Sequence, residues 1–183
     1  MSIKKFFLLT MLTAISVNIH GAENMNKSSY GYQKYEKETV DSINENGFVS
    51  LEKTKVLGLI QINGSLQAEE SEINSLLVNG QVNLNNCLIT NTSVINGSLN
   101  ATGTDFQKNL SIASQKIILR TCTVESLTVR EVAGYSEKQI VDLSSGTHVT
   151  GSIVFESNHG EVWISSDSTI SQDQVFGAQV YKK

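Results

Sequence analysis

Four consecutive segments decide the fold of this chain: LIQINGSLQAEESEIN (59–74), SLLVNGQVNLNNCLITN (75–91), TSVINGSLNATGTDFQK (92–108) and NLSIASQKIILRTCTVE (109–125). Aligned with one another, they form a repeat of about 17 residues with three apolar columns. The first column comprises Ile62, Val78, Ile95, Ile112 and Val129. The second comprises Leu66, Val82 and Leu99. The third comprises Ile73, Leu88, Phe106 and either Cys122 or Val124. Such a repeat fixes the architecture of a chain before any other feature does.

An Asn-Gly pair follows the first column in three of these units. The pairs are Asn63-Gly64, Asn79-Gly80 and Asn96-Gly97. A sharp bend needs positive φ, which glycine adopts freely and asparagine tolerates better than most residues. We therefore expect a turn at each pair, and a ladder of asparagine side chains that hydrogen-bond along the stack.

The apolar residues around these turns alternate with polar ones, which is the period of a β-strand with one buried face. A unit of about 17 residues is too short for a helical hairpin and suits two or three short strands separated by corners. Proline, which donates no ladder hydrogen bond, is absent from the 183 residues. The sequence therefore predicts an all-β fold, a single-stranded parallel β-helix (β-solenoid) with irregular end caps.

The chain divides into three predicted regions. Residues 1–22 have the pattern of a secretory signal peptide, with Lys4 and Lys5 before an apolar stretch and small residues near the cleavage site. Residues 23–38 form a polar tail, and for 30–38 a strand packed on the solenoid end is the alternative. Residues 39–183 form one solenoid domain, with an irregular first coil at 40–57, regular coils at 59–130, and looser coils and a cap at 131–183. We expect a secreted or periplasmic protein.

Charge and hydropathy narrow the range of partners. Without residues 1–22 the chain has 12 basic and 18 acidic residues, hence a net charge of −6. No basic cluster remains, so nucleic acid and anionic membranes are poor partners. No later apolar stretch is long enough to span a membrane. A protein or a glycan therefore remains as the candidate partner. Self-association through the solenoid ends is an open alternative.

Cys87 and Cys122 are the only cysteines. They lie 35 residues apart, close to two coils, which places them about 9.6 Å apart along the stack. A disulfide needs Cα atoms within about 7 Å. We therefore expect two buried free thiols rather than a disulfide.

The sequence indicates no catalytic, cofactor-binding or metal site. The spacing of His148 and His159 matches no zinc pattern, so both are expected in surface loops. Glu69, Glu70 and Glu72 could serve sugar hydrolysis or bind calcium, but no Asp-rich, Gly-spaced loop accompanies them. A solvated turn is the expectation for these carboxylates.

The units Ile-Asn-Gly-Ser-Leu (95–99) and Val-Asn-Gly-Gln-Val (78–82), with Val-Thr-Gly-Ser-Ile (149–153), resemble the repeats of the bactofilins, polymer-forming bacterial proteins. The resemblance covers about residues 59–130, and more loosely 140–155. It implies a compact right-handed β-helix. Bactofilins are typically cytoplasmic and have disordered tails, whereas this chain has a predicted signal peptide and cap. From this resemblance we therefore expect the β-helix fold but not the assembly of the chain into filaments.

Two functions from different classes fit these features. The first is an exported non-enzymatic solenoid with a structural or protein/glycan-binding role. The second is a small carbohydrate-active enzyme, a polysaccharide lyase or hydrolase on a β-helix scaffold, which rests on fold analogy alone. Those enzymes usually have more coils and a groove with clustered Asp, Lys and Arg, whereas we expect about six or seven coils here and the chain has two arginines, Arg120 and Arg130. Ice binding through Thr-x-Thr ranks is a third, weaker hypothesis, because only Thr104 and Thr121 keep the repeat spacing.

Overall fold

The structure, a computed structural model, describes residues 30–183, so the predicted signal peptide lies outside the described residues. A short 3-10 helix spans Gln172–Gln174. Sixteen strands make up the rest of the regular structure: β1 (Tyr30–Glu36), β2 (Thr39–Val40), β3 (Ile43–Glu52), β4 (Lys55–Glu69), β5 (Glu72–Asn85), β6 (Leu88–Ile89), β7 (Ser93–Thr102), β8 (Asp105–Ala113), β9 (Lys116–Arg120), β10 (Thr123–Val129), β11 (Gln139–Ser144), β12 (His148–Val149), β13 (Ile153–Phe155), β14 (Gly160–Ile164), β15 (Val175–Phe176) and β16 (Ala178–Lys182).

The strands pair in parallel and wind into a β-solenoid of about nine turns. This is more than the six or seven coils expected, because the segments at both ends also form paired coils. Each residue of a regular coil pairs with the residue 16 or 17 positions further along, as Asn63 does with Asn79 and Asn79 with Asn96. The predicted all-β solenoid with a coil of about 17 residues is confirmed. No helix among residues 30–183 has the length and apolar character needed to cross a membrane.

The first apolar column runs through the interior of the stack. Ile62 pairs with Val78, Val78 with Ile95, Ile95 with Ile112, and Ile112 with Val129. All five side chains are fully buried. The second column is longer than its three predicted members, because the same register continues through Val49, Leu66, Val82, Leu99, Ile117, Val141, Val162 and Val180.

The third column required a correction. Ile73 pairs with Ile89, Ile89 with Phe106, and Phe106 with Val124. Leu88, which we had placed in this column, faces outward. A shift of one residue along a strand turns the side chain to the opposite face, so the column takes Ile89. Of the two candidates at the end of the column, Val124 and not Cys122 occupies it.

The N-terminal coil begins earlier and is more regular than predicted. Of the two alternatives for residues 30–38, a tail or a strand on the solenoid end, residues 30–36 adopt the strand: they form β1 and pair residue by residue with β3. Residues 43–52 are likewise not irregular, since they pair with residues 60–69 without a break. Both segments preserve the inward and outward alternation of the inner coils. The ladders between β1 and β3 and between β3 and β4 then hold them in register.

The C-terminal coils are longer. Residues 130–138 form a loop without strands, and Gln139 is buried at the start of β11. The resemblance of 149–153 to 95–99 is misleading in register, because Val149 pairs with Val124 and Ile153 with Leu127. The Thr-Gly of that segment therefore lies at a different corner from the Asn-Gly turns. At the end of the region 131–183, where a cap was predicted, the chain forms a further coil in which β15 pairs with β13 and β16 with β14.

A second corner has no glycine signature. Its residues adopt the left-handed region with φ between 46° and 60°; they are Lys37, Lys53, Glu70, Asn86, Gly103 and Thr121. This conformation costs a residue with a Cβ atom roughly 1–2 kcal/mol. At each of these corners the backbone N–H donates to a carbonyl of the next coil, as Lys53 does to Glu69 at 3.0 Å, and these bonds offset the strain.

Candidate functional site

Four asparagines form a continuous hydrogen-bonded line along the solenoid, which we call the amide ladder: Asn46, Asn63, Asn79 and Asn96. Each Nδ2 donates to the Oδ1 of the preceding member, over 2.9, 2.7 and 2.6 Å. The structure thus brings the three predicted asparagines together and adds Asn46. The signal for Asn46 was present in the sequence, because Asn46-Gly47 precedes Asn63-Gly64 by 17 residues.

Arg130 ends the amide ladder. The position that pairs with Asn96 in the next coil is Ala113, which has no hydrogen-bonding side chain. Arg130 reaches back over it, and its Nη2 donates to Asn96 Oδ1 at 2.6 Å and to the carbonyl of Ile95 at 3.0 Å. Its buried Nε has no hydrogen-bond partner among the described residues. The guanidinium therefore serves the stack rather than a solvent-facing site.

The glycines beside the amide ladder stack in direct backbone contact. Gly47, Gly64, Gly80 and Gly97 have φ between 141° and 147°. A Cβ atom built on Gly80 would lie 1.8 Å from the carbonyl oxygen of Gly64, and one on Gly97 would lie 1.9 Å from that of Gly80. No side chain fits between these coils, which explains why all four use glycine at this position. The predicted turns do not interrupt the strands, because β3, β4, β5 and β7 each run through their Asn-Gly pair and only the glycine has positive φ.

One outer face of the solenoid presents a block of uncharged polar side chains, which we call the amide face. Its members lie on β4, β5 and β7 in two columns: Ser65, Gln81 and Ser98, and beside them Gln67, Asn83 and Asn100. All six point outward, and four of them are exposed. Successive members of a column are about 4.8 Å apart. The face is a regular grid of hydrogen-bond donors and acceptors.

One aromatic pair borders the amide face, and a second lies further along the same side of the solenoid, beyond Ile118 and Asp142. Toward the N-terminal end, Tyr32 stacks on Phe48 with ring centroids 5.4 Å apart. Toward the C-terminal end, Trp163 stacks on Tyr181 at 4.7 Å. Between the grid and the second pair, Arg120 donates to Asn100 Oδ1 at 2.8 Å. Neighbouring aromatic side chains in adjacent strands stabilise a sheet through such stacking.

The candidate carboxylates do not converge. Glu70 forms an ion pair with Lys53 at 3.5 Å, and Glu72 forms one with Lys55 at 2.7 Å, each with the coil below. Glu69 lies on the other side of the corner and points outward. Paired carboxylates for sugar hydrolysis need to flank one bond about 5–9.5 Å apart on a shared cleft. Glu70 and Glu72 instead form rungs between coils, and Glu69 points away from both.

Of the carboxylates that form ion pairs within residues 30–183, that of Glu161 is the most buried. Two hydrogen-bond donors hold it. Lys138 Nζ donates to one oxygen at 2.7 Å, and Trp163 Nε1 donates to the other at 3.0 Å. The hydrogen bond from Lys138 holds the pKa of Glu161 below its usual range, although burial opposes the effect. A glycosidase needs a general acid with a raised pKa, so the environment of Glu161 does not suit that role.

Both histidines of the described residues are exposed, and they lie in different segments of the chain. His148 Nδ1 contacts Thr169 Oγ1 of the next coil, and His159 lies in the loop after β13. No group of three or more His, Cys, Asp or Glu side chains in residues 30–183 is arranged to bind a metal ion.

The cysteines belong to a column of small polar side chains that the sequence analysis missed. Thr54, Ser71, Cys87, Thr104 and Cys122 each follow the second corner and are buried. Cys87 Sγ donates to the carbonyl of Asn85 at 3.4 Å, as Ser71 Oγ does to that of Glu69 at 2.8 Å. Thr104 lies between the two thiols, which are free. Thr104 is therefore aligned with Cys122 and not with Thr121, which removes the register behind the ice-binding hypothesis.

We expect neither thiol to react in the folded protein. Burial raises the pKa of Cys87 and Cys122, and backbone hydrogen bonds from Ser71 and Thr104 offset the rise only in part. Reaction with a disulfide reagent at neutral pH should be at least about a hundredfold slower than in the urea-unfolded chain, because it requires local opening. Ser98→Cys, at an exposed position, is the control that should react at once. Rapid modification of either native thiol would contradict the burial seen here.

The described residues therefore offer one extended contact surface, the amide face, and open strand edges at the two ends of the stack, β1 at one end and β15 and β16 at the other. No protein-family model, no curated protein and no solved structure matches this chain.

Proposed function

We propose that this chain is an exported, non-enzymatic β-solenoid with a structural or binding role, and that it contacts a protein or glycan partner through the amide face. Export rests on the signal-peptide pattern of residues 1–22. The observation that carries the binding role is the grid of six uncharged side chains on β4, β5 and β7.

The amide face is suited to a partner rich in hydroxyl or amide groups. Its side chains donate and accept hydrogen bonds, and no charged group lies among the six. The backbone beneath is held in two directions, by the ladder bonds of the sheet and by the buried columns Leu66–Val82–Leu99. A rigid surface loses little conformational entropy on binding, so weak contacts repeated along the stack can add up.

The test compares two substitutions of the same kind on different faces. Gln81→Lys places one charge in the grid, and Gln61→Lys places one on an outward position of the adjacent face. Binding to a glycan array and to extracellular proteins is measured for the parent and both variants. We expect the amide-face variant to lose at least about tenfold in affinity, which is about 1.4 kcal/mol, and Gln61→Lys to keep it.

Equal binding by both variants would overturn the assignment to this face. Release of reducing ends or unsaturated sugars from a bound polysaccharide would overturn the non-enzymatic role and favour the lyase or hydrolase alternative.

A further inference from the structure

The C-terminal end of the solenoid is an open strand edge. β16 pairs with β14 on one side, and no strand of residues 30–183 pairs with its other side. Lys183 N–H donates to the carbonyl of Ile164, and the carbonyl of Gly177 accepts from Gly160. Because the backbone groups of successive residues in an extended strand point to opposite sides, those of Ala178, Val180 and Lys182 point away from β14.

An apolar strip accompanies these backbone groups. Ala178 and Val180 face the core and pack against it, yet both remain partly exposed. In the coils below, the column members Val162, Val141 and Ile117 are 0% exposed. The difference arises because no strand covers the last coil. A shallow cavity at this end is lined by Ala178, Val180, Val175, Tyr181, Gln172 and Gln179.

Lys182 adds a charge to this edge at an inward-facing position. It pairs with Ile164, and the residues below it in the same column are Leu143 and Leu119. Lys183 forms an ion pair with Asp142, whereas Lys182 takes part in none of the ion pairs formed within residues 30–183. An inward-pointing lysine on a sheet edge discourages a purely apolar strand from pairing there. It favours a strand that brings a carboxylate.

We propose that β16 is a docking edge for an extended peptide of a partner protein, which adds as the next strand with apolar side chains over Ala178 and Val180 and a carboxylate over Lys182. Backbone groups that alternate along an edge bind another backbone, and this strand addition is a recurrent mode of peptide recognition. The site is separate from the amide face, and its role does not depend on that face.

A second copy of the chain is a poorer occupant of the edge. If β1 of another molecule continued the columns, Gln33 would lie over Val180 and Tyr35 over Lys182, since these residues pair with Val49 and Leu51 of the same columns. An amide would then cover the apolar position, and the lysine would receive no carboxylate. A peptide with the alternating pattern apolar, any residue, apolar, any residue, acidic satisfies both positions.

The test uses two end-capped fluorescent peptides, Val-Thr-Val-Thr-Glu and Val-Thr-Val-Thr-Lys, titrated with the full chain and followed by fluorescence anisotropy. We expect the acidic peptide to bind at least about threefold more tightly, in line with the modest strength of an exposed ion pair. Lys182→Glu should reverse the preference. Val180→Lys should weaken binding at least about tenfold, because it places a second charge on the apolar strip.

Gln179→Lys is the matched control, since it adds the same charge next to Val180 but on the outward side of β16. It should bind the acidic peptide at least as well as the parent does. Circular dichroism checks that each variant keeps its strand content, and Ala178→Lys repeats the test on the same strip should Val180→Lys unfold.

Two results would overturn the proposal. One is binding that is the same for both peptides and unaffected by Val180→Lys and Ala178→Lys. The other is concentration-dependent growth in sedimentation velocity that Val180→Lys abolishes, because a second copy would then occupy the edge.

Discussion

Replacing Gly80 with alanine is expected to destabilise the solenoid by more than about 4 kcal/mol, which is an exceptional value for one methyl group. The φ of 144° is a region that essentially only glycine adopts, at a cost of roughly 1–3 kcal/mol for other residues. The new Cβ would also lie 1.8 Å from the Gly64 carbonyl oxygen, so adjacent coils would have to separate. Urea unfolding followed by circular dichroism measures the loss.

Gly31→Ala separates these two contributions. Gly31 has nearly the same φ, 145°, but no atom of the described residues lies within 4 Å of a Cβ built there. The Gly31→Ala variant should lose only the conformational contribution to the free energy of unfolding, roughly 1–3 kcal/mol. Equal losses at Gly31 and Gly80 would show that the close approach of the coils contributes nothing.

Ile95→Asp is expected to unfold the chain at neutral pH. Ile95 is 0% exposed and lies in the middle of the first column, between Val78 and Ile112. A carboxylate there would have no counter-ion. The free energy needed to bury it would exceed the net stability of about 5–15 kcal/mol that is typical of a domain. The far-ultraviolet circular dichroism of the purified variant, compared with that of the parent, reports the loss of strands.

Val94→Asp is the control for this substitution. Val94 is the preceding residue on β7 and faces outward, so its carboxylate would remain in contact with water. We expect Val94→Asp to lower the free energy of unfolding by no more than about 1 kcal/mol. An unfolded Val94→Asp variant would mean that strand propensity, rather than burial of charge, explains the effect at Ile95.

The solenoid could be predicted from sequence because its repeat is visible in residue types. In coils 59–130 the three apolar columns hold only apolar side chains, and the position beside the amide ladder holds glycine in four successive coils, so these columns keep their chemistry from coil to coil. The third column was harder. Leu88 and Ile89 are both apolar, and only the strand register decides which of them faces the core.

Other features depend on the backbone or on distant contacts. The second corner accepts Lys53, Glu70 and Thr121 alike, because the hydrogen bond of the backbone N–H stabilises it whatever the side chain. Arg130 follows Asn96 by 34 residues and reaches it only because Ala113 leaves room between them. The open edge at β16 is likewise a property of the stack, since nothing in residues 167–183 alone distinguishes a last coil from a cap.

The amide ladder also gives the solenoid an electrical direction. A guanidinium can only donate hydrogen bonds, so Asn96 must turn its oxygen toward Arg130 and its NH₂ group toward Asn79. The orientation of Asn96 in turn determines the orientation of each preceding asparagine. All four side-chain dipoles are therefore aligned, with their negative ends toward Arg130. The cation therefore stands at the negative pole of a row of dipoles, as a lysine or arginine does at the C-terminus of a helix. One arginine thus fixes the orientation of amides as far away as Asn46.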